Sequence, residues 1–313
     1  VVASAKGVQG KELRLAVQNP TLWDTSNPYL YDMKVSLTKD GKVVDDVKSY
    51  TAFRKISSKR DANGIMRMQL NNKNLFQYGP LDQGWWPDGL YTAPTDEALL
   101  YDIIKTKDWG FNMIRKHVKV EPARWYYHCD KEGILVWQDM PSGDMGNQWA
   151  PHTYNGGTDK ERSSASIANY YQEWKEIMDL CVSHPSVVVW VPFNEAWGQF
   201  DTEKVAEWTK NYDPSRLVNP ASGGNHRACG DILDLHNYPG PSMFLFDPQR
   251  VTVLGEYGGI GLPLENHLWW NKRNWGYVQF KNSDEVTAEY VKYANELKEM
   301  VDRGFSAAVY TQT

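Results

Sequence analysis

Two hydrophobic rhythms divide the chain. In the first, apolar positions alternate with polar ones: Leu13, Leu15 and Val17, then Met33, Val35 and Leu37. After a turn at Lys39-Asp40-Gly41 come Val43, Val44 and Val47. A period of two marks half-buried strands, and Asp-Gly between two such runs predicts a hairpin. After Phe53-Arg54-Lys55-Ile56 the chain turns polar at Ser57-Ser58-Lys59-Arg60-Asp61, which sets a boundary between residues 1–57 and 58–313. Only about three strands precede it, where two packed sheets need about seven. The first segment therefore reads as part of a β-sandwich, cut off at its start.

From Asn74 onward short apolar runs alternate with longer helical periods, the pattern of βα units around a parallel sheet. The runs are Leu75–Gly79, Asn112–His117, Ile134–Met140, Val187–Phe193, Arg216–Pro220, Ile232–His236, Val251–Glu256 and Phe305–Thr311. Eight is the number that closes a (β/α)8 barrel. Val187-Val188-Val189-Trp190-Val191 is unbroken, as a strand buried on both faces requires. Helices are predicted over Asp96–Lys107 and over Ser283–Arg303. In the second, Val286, Tyr290, Ala294, Leu297 and Val301 share one face, with Ser283 as N-cap and Gly304 as terminator. The polar, Gly-containing stretch Pro141–Ser164 is expected to loop over the active face. The sequence stops just after the eighth run, so the outer ring is expected to lack its last helix.

Composition narrows the function classes. Formal net charge is −5 with no basic block, which argues against nucleic-acid binding. No apolar run reaches the roughly 20 residues of a membrane span. The N-terminal VVASAKGVQG lacks the charged-then-apolar order of a signal peptide. Cys129, Cys181 and Cys229 are spaced too widely for a zinc knuckle or redox pair, and read as free, partly buried thiols. Aromatic residues are the informative excess, with 14 Trp and 18 Tyr against 9 Phe. Such rings offer apolar faces with polar edges that suit sugar stacking, although a Trp-rich core fits equally.

Barrel enzymes place their chemistry at the C-terminal ends of strands. The fourth run delivers Asn194-Glu195-Ala196-Trp197 and the seventh delivers Gly255-Glu256-Tyr257-Gly258. These ends can face each other across the barrel mouth. Two facing carboxylates are what glycosidic cleavage needs, one to protonate the leaving oxygen and one to meet the anomeric carbon. A separation of about 5–5.5 Å implies retention of configuration, and a wider one inversion. Glu195 is expected to be protonated at rest, its pKa raised by Glu256 and by burial near Trp197. Glu256 is expected to stay ionised through Tyr238 and Arg115.

Asn194-Glu195 and Gly255-Glu256-Tyr257-Gly258, together with Asn27-Pro28-Tyr29-Leu30-Tyr31, Phe53-Arg54-Lys55-Ile56 and His184-Pro185-Ser186-Val187, resemble glycoside hydrolase family 2. That family includes β-galactosidases, β-glucuronidases and β-mannosidases. The resemblance implies the end of an immunoglobulin-like β-sandwich followed by a TIM barrel. It implies a retaining exo-β-glycosidase acting on terminal β-linked sugars of oligo- or polysaccharides, without cofactor or metal, and a periplasmic or secreted location. Glu195 takes the role of acid/base, Glu256 of nucleophile and Asn194 of ligand to the sugar 2-hydroxyl. Arg115 matches the arginine beside the nucleophile, Asp139 the third strand end of the mannosidase-like branch, and His236-Asn237-Tyr238 the clan's His-x-Tyr. Trp85 and Trp86 are expected to wall the sugar site.

The sequence also departs from the family. His117 stands one place earlier than the Arg-x-Ser-His pattern puts it. The Arg-His-Glu that follows strand one in well-known β-galactosidases is replaced by Asp82-Gln83-Gly84-Trp85-Trp86. The Trp usual at the eighth strand end is replaced by Tyr310-Thr311-Gln312, and no Asn-x-Lys for a uronate carboxylate is found. Sugar specificity stays open. Two rival readings are a metal-dependent barrel hydrolase built on His117, His236 and a carboxylate, and a non-catalytic carbohydrate-binding barrel.

Overall fold

The apolar runs become eight parallel strands in the computed structural model, which describes residues 1–312. They are β1 (Gln77–Asp82), β2 (Met113–Lys116), β3 (Leu135–Asp139), β4 (Val187–Val191), β5 (Leu217–Val218), β6 (Ile232–His236), β7 (Val251–Gly258) and β8 (Phe305–Thr311). They pair in the order β5-β4-β3-β2-β1-β8-β7-β6, a TIM barrel whose ladder is continuous except between β5 and β6. Single backbone bonds cross that seam, Asp231 N to Val218 O at 2.8 Å and Gly223 N to Asp234 O at 3.1 Å. Side chains add to them. Asp231 accepts from Val218 N at 2.8 Å, and Asp234 accepts from Asn219 Nδ2 and Ser222 Oγ, each at 2.6 Å.

Strand ends shift by a residue or two in several places, and the first and fifth strands differ for identifiable reasons. The first begins at Gln77 because Leu75 pairs elsewhere: its N–H goes to Met68 O at 3.0 Å, in a small antiparallel sheet. The fifth shrinks to two residues because Pro220 has no N–H to offer a ladder and Lys210 Nζ takes the carbonyl of Arg216 at 2.8 Å.

Among the described residues five helices cover the barrel: α1 (Asp96–Asp108), α2 (Ala123–Glu132), α3 (Ser164–Cys181), α4 (Thr202–Tyr212) and α5 (Ser283–Arg303). They follow β1, β2, β3, β4 and β7, and irregular chain joins β5 to β6 and β6 to β7. Thr95 and Ser163 cap α1 and α3 by accepting from the N–H three residues on. The cap of α5 is Asn282 rather than the expected Ser283: its side chain accepts from Glu285 N, while Glu285 reaches back to Lys281 N. Gly304 ends this helix at φ 145°, a conformation that glycine tolerates best. Cys129 and Cys181 are buried thiols and Cys229 is half-buried.

The N-terminal part is β-rich. Tyr31–Lys39 and Lys42–Thr51 form the expected hairpin, with Asp40 and Gly41 both at positive φ. Leu13, Leu15 and Val17 alternate as read but form no strand, since no described segment pairs with their backbone groups. A second antiparallel sheet, Ile56–Arg60, Met66–Leu70 and Lys73–Asn74, spans residues 57 and 58. Its Ile56, Met68 and Leu70 plug the lower barrel against Leu81, Met113, Leu135, Trp137 and Val188. Trp23, fully buried, joins that cluster and donates Nε1–H to Asp130 O at 2.7 Å, tying the N-terminal part to α2. Among the described residues no helix is long and apolar enough to cross a membrane.

Candidate active site

The upper barrel core is polar because β2, β3, β6 and β7 turn charged side chains inward as they end. Arg115 on β2 is fully buried and organises the floor. Its Nη2 donates to Asp139 Oδ2 at 2.9 Å and to Asn194 Oδ1 at 2.8 Å. Nη1 donates to Glu256 Oε1 and to Gly255 O, both at 3.2 Å. A guanidinium buried this deeply needs such partners. Its pKa is raised: burial works to lower it, but the charges of Asp139 and Glu256 prevail. Asp139 is thus the counterion of Arg115.

Glu195 follows β4 in a strained turn. Glu195 and Ala196 stand at φ 46° and 62°, a left-handed pair costing on the order of 1–3 kcal/mol per residue. Backbone bonds hold it: Glu195 N to Ser222 O at 2.8 Å, Ser222 N to Phe193 O at 2.9 Å and Trp197 N to Asn194 O at 2.8 Å. Glu256 lies on β7 where the register shifts against both neighbours, between Leu235 and His236 on one side and between Leu254 and Tyr257 on the other. Such irregularities re-aim side chains toward a site.

The two carboxyls meet at His236. Its Nδ1 lies 2.9 Å from Glu195 Oε1 and 3.6 Å from Glu256 Oε1. One donor atom from each of the three residues lies within 4.8 Å of the other two. Arg115 is the cation these acids share, and the other oxygen of Glu256 accepts from Tyr238 at 2.5 Å. Tyr238 also meets Thr311 Oγ1 at 2.7 Å and stacks on Tyr277, ring centres 3.6 Å apart.

The electrostatics differ from the sequence-based expectation for Glu195. Burial works to raise its pKa, but the hydrogen bond and charge of His236, with the charge of Arg115, outweigh it and leave it lowered. Glu256 is raised: complete burial dominates, opposed by His236, Arg115 and the Tyr238 hydrogen bond and reinforced by Glu195. His236 is raised too, because the charge of Glu256 and the contact with Glu195 overcome burial. These directions favour negative charge on Glu195 and positive charge on His236. Sequence alone did not reveal this, because it could not place the imidazole against Glu195.

His117 sits beside Glu256, Nε2 to Oε1 3.6 Å, with Gln83 Nε2 donating to its Nδ1 at 3.0 Å. Burial, Arg115 and His236 all hold its pKa well below the usual value, so it is neutral. Trp197 lies against it, ring centres 5.9 Å apart. The amide nitrogen of Asn194 and Nε2 of His117 are buried without a well-formed hydrogen bond, as expected of donors facing a substrate position. Trp85 and Trp86 line a groove of about 720 Å³ that runs from Gln83, the partner of His117, and Gln312 along Tyr101, Asp102 and Trp109 beside α1. Trp85 stacks there on Tyr91. The stretch from Pro141 to Ser163 does arch over the mouth. Trp149 Nε1 donates to Gly223 O at 2.9 Å, and the side chain of Asn225 bonds Ala150 N and Gln148 O.

Sequence reading missed Ser222, Asp234, Thr311 and Gln83. Asp234 could have been found, since it stands two residues before His236 on the same face of β6. Ser222 could not, because it comes from irregular chain after β5.

Both the sequence and the fold have counterparts among known proteins. The family model described as "Glycosyl hydrolases family 2, TIM barrel domain" matches residues 69–238, and "Glycosyl hydrolases family 2" matches residues 2–54. The chain belongs to glycosyl hydrolases family 2. It is similar to a β-galactosidase of Halalkalibacterium halodurans, 29% identical over 258 residues, covering 78% of this chain and 24% of that protein. It is similar also to one of Vibrio vulnificus, 27% identical over 220 residues, covering 70% and 20%. The chain thus spans about a quarter or less of the length of these relatives. Among solved structures, Parabacteroides merdae β-glucuronidase superposes with TM-score 0.71 at 16% identity, over 96% of this chain and 41% of that one. The β-D-glucuronidase of Dictyoglomus thermophilum gives 0.70 at 17%, over 95% and 53%. At such identities the likeness is one of fold.

Proposed function

We propose that this chain carries the catalytic centre of a retaining exo-β-glycosidase that removes terminal β-linked sugars from oligo- or polysaccharides by double displacement. The observation that carries the reading is the approach of Glu195 and Glu256, with oxygens within 4.8 Å. That approach fits the roughly 5–5.5 Å of retaining enzymes and is too short for a water between the second carboxylate and the anomeric carbon. In the first step Glu256 attacks the anomeric carbon as the bond to the leaving oxygen breaks, and a proton from Glu195 passes to that oxygen. In the second, Glu195 takes a proton from water, the water oxygen bonds the anomeric carbon, and the ester to Glu256 breaks. Arg115 and Tyr238 hold Glu256 in the attacking orientation. The unengaged amide nitrogen of Asn194 is available to the sugar 2-hydroxyl.

The named relatives act on β-galactosides and β-glucuronides, so both belong in the test. The whole protein is assayed against aryl β-galactoside, β-glucuronide, β-mannoside and β-glucoside, and the preferred sugar is then supplied as its 2-deoxy-2-fluoro activated glycoside. A covalent sugar on Glu256, found by mass spectrometry of peptides, supports the reading. A label on another residue, or inverted product by NMR, overturns it.

A further inference from the structure

His236 contacts an acid at one nitrogen and a serine at the other, with the Asp234 carboxylate 3.9 Å from the latter nitrogen. Nδ1 faces Glu195, and Nε2 lies 2.8 Å from Ser222 Oγ. Ser222 Oγ is in turn 2.6 Å from Asp234 Oδ2, which also accepts from Asn219 Nδ2 at 2.6 Å. Hydrogen counting settles the directions. A carboxylate only accepts, so Ser222 must give its single hydrogen to Asp234. Its oxygen is then left to accept from His236, and Nε2 must carry a hydrogen. Arg115 Nη1, 3.4 Å from Nε2, does not compete for a lone pair there, because its two hydrogens have nearer acceptors in Glu256 and Gly255 O.

The chain is shaped to allow this line of contacts. A Cβ at residue 255 would fall 2.0 Å from Asp234 Oδ1, and one at residue 223 would fall 2.2 Å from His236 Nδ1. Both positions are glycine. Asp234 and His236 share a face of β6 by strand alternation, so the strand that brings the imidazole to Glu195 also brings its distant carboxylate.

We infer that Asp234 and Ser222 are positioning residues for the acid/base: by fixing a hydrogen on Nε2 of His236, they leave Nδ1 as the one place where a proton is shared with Glu195. This rests on the reading of Glu195 as acid/base. The charged and titratable groups facing His236 are Arg115 on β2, His117 just after it, Glu195 beyond β4, His226 after β5, Asp234 on its own strand and Glu256 from β7. Asp139 on β3 acts through Arg115. In glycosylation the shared proton ends on the leaving oxygen. The pair is left as the Glu195 carboxylate and a neutral His236 bearing its hydrogen on Nε2. The water of the second step returns one proton to the pair.

Without the anchor, neutral His236 is free to carry its hydrogen on Nδ1 and donate it to an ionised Glu195, a state that resists acting as acid. Removing the charge of Asp234 also weakens the hold on the shared proton. Both effects move the loss of acid catalysis to lower pH.

The test measures kcat/KM against pH for full-length Ser222→Ala and Asp234→Asn, alongside Glu195→Ala. The substrates are an alkyl β-glycoside, whose leaving group needs protonation, and the 2,4-dinitrophenyl β-glycoside, whose leaving group does not. For folded Ser222→Ala and Asp234→Asn, the basic limb on the alkyl glycoside falls by about one pH unit. Activity above it drops about tenfold, one unit of pKa being a factor of ten. Formation of the glycosyl-enzyme from the dinitrophenyl substrate changes less than about twofold. An unmoved limb, or equal losses on both substrates, overturns the inference. A Glu195→Ala enzyme that spares the alkyl glycoside would instead overturn the acid/base reading beneath it. Nitrogen-15 spectra of unaltered enzyme labelled at histidine provide a check that no variant can spoil. His236 Nε2 must carry a hydrogen across the active pH range, and an unprotonated Nε2 ends the proposal.

Discussion

Tyr238 donates its phenolic hydrogen to Oε2 of Glu256 at 2.5 Å, the shortest polar contact made to that carboxylate. A hydrogen bond to a charged group contributes about 1.5–3 kcal/mol. Tyr238→Phe is therefore expected to lower kcat by roughly 10- to 150-fold with a smaller change in KM. The bond also lowers the pKa of Glu256. Its loss raises that pKa, so the acidic limb of kcat/KM moves to higher pH. A limb that stays in place would show that Tyr238 does not hold the ionised nucleophile.

The two glutamates should fail in different ways. Glu195→Ala should lose about 10²–10⁴ on substrates with poor leaving groups and much less on dinitrophenyl glycosides. Added azide should then yield a glycosyl azide of retained configuration. Glu256→Ala should lose at least about 10⁴ on every substrate, a barrier increase above about 5 kcal/mol. Azide should rescue it with inverted product. Swapped behaviour would exchange the two roles.

His226, eight residues before Asp234 and buried against the loop at Pro151, is held down to about 4, chiefly by burial. The sign follows from that depression. As pH falls from 6.5 the unfolded chain takes up this proton before the folded chain does. Stability from this group is complete above about 6.5 and is lost on the way to 4. The loss amounts to about 3 kcal/mol. Urea unfolding at several pH values should show His226→Asn losing less stability than the parent between pH 7 and 4. Parallel curves would exclude the group as a source of acid sensitivity.

Trp23 is the buried tie between the N-terminal part and the barrel floor. Trp23→Ala is expected to cost about 3–5 kcal/mol, since it opens a cavity and leaves Asp130 O without its donor. A denaturation midpoint within experimental error of the parent would show that the two parts are not coupled through this residue.

Much of the barrel was legible because buried parallel strands need uninterrupted apolar runs: Ile232–His236 and Phe305–Thr311 stand where the pattern put them. Glu195 and Glu256 were legible for a similar reason, each being the first acid a buried strand delivers. Other features depend on partners that sequence does not display. Leu13 and Leu15 alternate like strand residues, yet alternation supplies no neighbouring strand. Trp85 and Trp86 follow β1 as expected, and only the fold shows the groove they line from Gln83 along α1. The pKa directions at Glu195 and Glu256 required the position of His236, and Ser222 became visible only once the chain beyond β5 was seen folded back against β6.

The break in the ladder between β5 and β6 has a consequence for how this barrel can change. Where other neighbouring strands are laced by repeating main-chain bonds, here Asn219, Ser222 and Asp231 with Asp234 do much of the lacing. On the proposal above, substitution of Ser222 or Asp234 would loosen the wall and disturb the proton shared by His236 and Glu195 together. Amide exchange along this line should report on both, quickening first wherever the stitching is cut.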